Sequence, residues 1–180
     1  GFEIFDIDPK RCTIRSVFRE ESSNIDSHFR RMLHGVKVMQ NQIIKDMTEK
    51  KYNSKELILQ YRNNILKQRD IIARIIVQEK LLDSKHFPYY LLAFNVWSVS
   101  RNYYFMYLHW VEAEKISNKS QNYLEETNKF FDNFFTKRKS TSLERHQDYT
   151  KRLNFGSELM RNKKEANLFV SYCMNIIQLT

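Results

Sequence analysis

The sequence predicts an all-α fold: an up-down bundle of about five long antiparallel helices over residues 23–180, behind a loosely structured N-terminal arm over residues 1–22. Three observations predict it. Gly occurs 3 times and Pro 2 times in 180 residues, against roughly 7% and 5% in average usage. Sandwiches, barrels, propellers and doubly wound sheets need more turns than that. A Gly-rich phosphate loop cannot be built from Gly35 and Gly156, the only internal glycines. Second, apolar residues recur at spacings of three, four and seven, the period of one helix face. Third, helix-start signals alternate with short polar links, and short links make successive helices antiparallel neighbours. The chain is 42% hydrophobic and 14% aromatic, enough for one cored domain and too apolar for a disordered one.

The arm has no clear period. Phe2, Ile4 and Ile7 roughly alternate until Asp8-Pro9 breaks the run, and a short helix is expected from Thr13 to Arg19. The first confident helix follows Ser22-Ser23, with Phe29, Leu33, Val36, Ile43 and Met47 on one face. Gly35 inside it costs ~1 kcal/mol against Ala and marks either a close crossing or a tolerated defect. The helix ends at Lys50-Lys51-Tyr52. The second starts at Asn53, with Glu56 three residues on in a capping-box pattern. It carries Ile58, Tyr61, Ile65, Ile72, Ile75, Ile76 and Leu82.

Pro88, just after His86-Phe87, suits the first turn of a third helix running to about Lys115. Residues 88–111 are long and apolar enough to suggest a bilayer span, but Arg101 sits at the middle among Asn95, Asn102 and His109. A central Arg costs ~2.5–3.5 kcal/mol in a membrane even on the mildest scale. The expectation is a buried central helix of the bundle and no membrane span, with Arg101 paired or turned to solvent. Residues 118–120 read as a polar linker and contain one glycosylation sequon at Asn118. A fourth helix puts Leu124, Phe131, Phe134 and Phe135 on one side. Residues 139–142 are the next linker, with Thr141 and Glu144 as a second capping box. The last element, from Leu143 toward Ile177, is either one long helix or two broken near Gly156 or Lys163-Lys164.

Charge narrows the function classes. Lys plus Arg is 30 and Asp plus Glu is 21, a formal net charge of +9. Residues 136–164 hold nine basic and three acidic side chains, so two thirds of the excess is local. Such a field suits phosphate, an anionic surface or an acidic protein. Arg145, Arg152 and Lys163 fall within about 20° on a helical wheel. The candidate contact surface for an anionic partner is therefore Lys137, Arg138, Lys139, Arg145, Arg152, Lys163 and Lys164, unless the row is only a solvated face. Reversing Arg138, Arg145 and Arg152 together is expected to leave folding intact, since exposed ion pairs contribute only ~0–1 kcal/mol each. A second candidate is the aromatic run around Tyr103, Tyr104, Tyr107 and Trp110, readable as an interface or as core.

Catalytic patterns are missing. None of the five histidines follows a Glu by three residues, there is no His-Glu-x-x-His, no Cys-x-x-Cys and no Gly-x-Ser-x-Gly. Glu20-Glu21 and Glu125-Glu126 are adjacent pairs, which diverge on a helix and form no acid/base couple. No cofactor, metal or enzymatic activity is expected. Cys12 and Cys173 read as two reduced thiols of an intracellular chain, nuclear or cytoplasmic. The start at Gly1-Phe2-Glu3 reads as that of an excised piece of a larger protein. The leading expectation is a non-enzymatic protein–protein interaction or scaffold domain, binding another protein or peptide, an acidic one included, or a second copy of itself. The alternative is an RNA- or DNA-binding domain using residues 136–164. A third reading is a secreted bundle with a Cys12–Cys173 bridge.

Overall fold

The computed structural model describes residues 2–8, 11–16, 25–51, 53–78, 87–113, 117–136, 142–161 and 167–179. The fold is an all-α helical bundle. Its helices are α1 (Ile25–Glu49), α2 (Lys55–Gln78), α3 (Phe87–Ala113), α4 (Asn118–Thr136), α5 (Ser142–Arg161) and α6 (Asn167–Leu179). Among the described residues there are thus six helices rather than five. The element expected from Leu143 to Ile177 is two, ending at Arg161 and resuming at Asn167.

The N-terminal arm carries an antiparallel pair, β1 (Phe2–Asp8) and β2 (Arg11–Ser16), in register from Phe2 opposite Ser16 to Asp8 opposite Arg11. The short helix expected from Thr13 is corrected, since Thr13–Ser16 lie in β2; residues 17–19 are outside the described set. The irregular spacing of Phe2, Ile4 and Ile7 has a physical reason. The register shifts between Ile4 and Asp6, and a bulge absorbs one extra residue and resets the alternation.

Side-chain partners fix how the helices run. His28 meets Gln68, and Gln42 meets Ser54, so α1 and α2 are antiparallel. Arg69 covers Phe94, and Arg62 covers Tyr104, so α2 and α3 are antiparallel too. α1 lies parallel to α3 and antiparallel to α4 through Phe29–Tyr89 and Phe29–Phe135. α6 packs against α3, α4 and α5. The core runs from Met32, Val36, Met39 and Ile43 of α1, through Ile58, Ile65, Ile72 and Ile76 of α2, to Val96 and Met106 of α3 and Val170, Cys173 and Ile176 of α6. Among the described residues no helix is long and apolar enough to cross a membrane.

Several local expectations are refined. Gly35 marks a close crossing: a Cβ there would lie 2.9 Å from Cγ1 of Ile65 on α2. α1 ends in a Schellman turn, with Lys51 N–H donating to the Asp46 carbonyl and Lys50 N–H to that of Met47. Lys50 takes φ of 53° there, a position where Gly is usual. The cap of α2 is Ser54, not Asn53: its carbonyl accepts the Ile58 N–H. Residues 118–120 are the first turn of α4 rather than a linker, because Ser117 Oγ accepts the Ser120 N–H at 3.1 Å. Thr141 of the other capping box is outside the described residues. Gly156 lies inside α5 and does not break it.

Candidate functional site

The basic segment is the first candidate. Lys137, Arg138, Lys139, Lys163 and Lys164 lie outside the described residues; Arg145 is on α5, with its side chain outside them. Arg152 is well placed, and its role is corrected. Its side chain is only 13% exposed. Nη1 donates to the Glu126 carbonyl at 2.6 Å and to Glu126 Oε2 at 2.9 Å, and Nε donates to Asp148 Oδ1 at 3.0 Å. The guanidinium lies 5.5 Å from the centre of the Phe130 ring. It bolts α5 to α4. A charge already met by two carboxylates is a poor contact for an anionic partner, and its reversal would not leave folding intact. Lys129 and Arg152 beside Glu126 hold that carboxyl below the usual range.

The second candidate is α3. Tyr103 and Tyr107 are fully buried and Trp110 is 3% exposed, so these three serve the core and not an interface. Their tips are wired inward. Gln40 Nε2 donates to Tyr103 Oη at 3.0 Å, and that hydroxyl donates to Asn128 Oδ1 at 2.7 Å. Tyr107 donates to buried Asp46 at 2.7 Å and accepts the Ser54 N–H at 3.0 Å. Ser54 and Gln42 complete the donors to Asp46. Burial pushes the Tyr103 and Tyr107 hydroxyls far above the ordinary tyrosine range, so both remain hydrogen-bond donors. Cys173 is a free, buried thiol whose Sγ lies 3.7 Å from Met106 Sδ. Burial pushes this thiol up as well, away from nucleophilic chemistry.

Tyr104 is different. It is half-buried, with the Arg62 guanidinium 5.2 Å from its ring centre. It belongs to a face shared by α2 and α3. Arg69 lies 4.8 Å from the Phe94 ring centre and 4.4 Å from that of Trp97, and exposed Arg101 lies 5.4 Å from the Trp97 ring centre. Around them Phe87, Leu91, Phe105 and Val77 are 45%, 49%, 40% and 61% exposed. Phe105 stacks on Tyr172 of α6, with centroids 6.5 Å apart. Among the described residues the carboxylate ion-paired to these guanidiniums is Asp70, 2.6 Å from Arg69. Arg62 Nε and Trp97 Nε1 are buried and find no hydrogen-bond acceptor.

Of the two expectations for Arg101, paired or turned to solvent, the structure shows it exposed; sequence reasoning missed Arg62, Arg69, Phe94 and Trp97 as a group. One signal was available. Arg62 and Arg69 are seven apart, two turns along one side of a helix, and α3 is apolar on more sides than three neighbouring helices can cover.

Among the described residues, cavities border the bundle. One of about 130 Å³ is lined by Tyr123, Phe155 and the Arg152 junction. An open one of about 520 Å³ is lined by Asp26, Ser27, Arg30, Arg31 and His34 on α1. Among the described residues no three His, Cys, Asp or Glu side chains are grouped to hold a metal ion. Comparison of the chain with protein-family models, curated proteins and solved structures finds no match.

Proposed function

We propose that this chain is a non-enzymatic helical docking domain that binds a protein partner on the α2–α3 face. One observation carries the reading: four large apolar side chains lie exposed around three arginines spread on aromatic rings. Contiguous exposed apolar surface marks interaction sites, and aromatic residues with Arg are the types interfaces favour. The free thiol of Cys173 supports an intracellular setting. Nucleic-acid binding through residues 136–164 rests on net charge, and the engagement of Arg152 by Glu126 and Asp148 counts against it.

The test is capture from lysate with and without nuclease, comparing wild type with a Leu91→Ser/Phe105→Ser variant. A partner held by wild type, lost by the variant and indifferent to nuclease is the expected result. Partners retained equally by both would place the interface elsewhere. A complex that vanishes with nuclease and weakens steeply with salt would return the nucleic-acid reading.

A further inference from the structure

Resting on that docking reading, we infer that the occupant of the α2–α3 face is an amphipathic helix of the partner, with an apolar stripe flanked by carboxylates. Length is the first argument. The exposed apolar residues of α3 run from Phe87 through Leu91 to Phe105, eighteen residues along one helix, or ~27 Å at 1.5 Å per residue. A third helix of about five turns laid along the two would cover it, with anchors at helical spacing.

Charge is the second argument. Arg69 is paired to Asp70 and only 16% exposed, which leaves half-buried Arg62 and exposed Arg101 against exposed Glu112 at the far end of α3. Arg101 lies between Leu91 and Phe105 and has no ion-pair carboxylate among the described residues. Carboxylates on an incoming helix would match this centre, whereas a second copy would bring its own Arg101 toward the same place. The rings argue against nucleic acid. Guanidiniums already lie over Phe94, Trp97 and Tyr104, covering faces on which bases would have to stack.

The probe is a pair of synthetic amphipathic peptides of about 20 residues, sharing one leucine stripe and differing only in Glu or Lys flanks. Binding is read by fluorescence anisotropy, and the occupied face by hydroxyl-radical footprinting of Phe87, Leu91, Phe105 and Trp97. The Glu peptide should bind at least about tenfold more tightly than the Lys peptide and protect those side chains. An Arg101→Glu variant, which changes an exposed side chain outside any ion pair among the described residues, should abolish or reverse the preference, which separates charge recognition from loss of fold. Equal affinity of both peptides, with the face protected, overturns the acidic assignment and leaves the docking reading standing. Should neither peptide protect the face, the helical assignment falls. The docking reading then falls too if an oligonucleotide or phosphatidylserine vesicles protect it instead. Protection that grows with protein concentration alone, alongside dimerisation in sedimentation, makes the occupant a second copy and also overturns the inference.

Discussion

Arg152 and Arg101 are the same residue used in two ways, and the contrast locates function better than charge counting does. Arg152 stands in the most basic stretch of the chain, yet its guanidinium is spent on Glu126, Asp148 and a carbonyl. Arg101 stands in the middle of a largely apolar helix, yet it is exposed over the Trp97 ring. A charge joined to internal carboxylates holds the fold; one left on an aromatic surface is available to something else. Local charge density is a property of sequence. Availability is a property of packing.

The largest effect should come from breaking the first of these arginines. Arg152→Glu removes two carboxylate pairs and one carbonyl bond and sets a third carboxylate beside Glu126 and Asp148. Arg152 itself is only 13% exposed although its carboxylate partners are not, and reversing a charge so withdrawn from water costs about 3 kcal/mol. For a chain of this size that lowers the melting temperature by roughly 6–12 °C. Arg152→Lys should fall between the two, since an ammonium cannot fork to both partners. Thermal denaturation followed by circular dichroism checks both. An unchanged midpoint for Arg152→Glu would mean that this arginine is as free as Arg101, and the contrast would collapse.

The same junction offers a test without charge. A Cβ at Gly156 would collide with the Tyr123 hydroxyl and lie 2.8 Å from Cγ of Met174. The hydroxyl cannot simply step aside, because it donates to the Arg152 carbonyl at 3.0 Å. Overpacking costs ~1–3 kcal/mol, and Ala returns ~1 kcal/mol of helix propensity. Gly156→Ala should therefore destabilise by up to about 2 kcal/mol in urea titration. A gain in stability would show that the α4–α5–α6 contact is loose.

These residues also show what could be read in advance. The helices were legible because their signals are local: the isoleucine row of α2, Pro88 at the start of α3, the apolar run of α6. Gly156 could stand in the sequence only as one of two candidate break points, beside Lys163-Lys164, because sequence shows a glycine but not the tyrosine tip that needs its space. Tyr103 and Tyr107 were legible as core or interface but not decided between, since the choice depends on Gln40, Asn128 and Asp46, which lie 63, 25 and 61 residues away. The α2–α3 face was illegible for the same reason. Arg69 becomes informative only once Phe94 and Trp97 are beneath it.

Acid should act on the Arg152 junction through Glu126. Glu126 is held below the ordinary 4.5, first by Lys129 and then by Arg152. A carboxyl depressed in the folded state stabilises above its unfolded value, and that contribution is lost as pH falls through the folded one. The window thus opens near pH 4.5 and extends downward. Because Glu126 is 44% exposed, the contribution should stay below about 1 kcal/mol. Denaturant titrations at several pH values should show wild type losing this increment and Glu126→Gln lacking the loss. Identical pH profiles for the two would detach the carboxylate from the junction.

The smallest expected effect is the most telling. Arg101→Glu alters an exposed side chain whose recorded contact is the Trp97 ring. Exposed cation–π contacts are worth ~0.5–1 kcal/mol, and no carboxylate partner among the described residues is left unpaired by the change. Stability should fall by no more than about 1 kcal/mol, or roughly 2–4 °C in melting temperature, well short of Arg152→Glu. Trp97 supplies a local readout, since a guanidinium and a carboxylate over its ring shift indole emission differently. The expected outcome is a changed Trp97 spectrum with a nearly unchanged unfolding midpoint, assigned by comparison with a Trp97→Phe background. A loss near 3 kcal/mol would instead mean that Arg101 holds α2 and α3 together as Arg152 holds α4 and α5, and that the face it sits on is part of the scaffold.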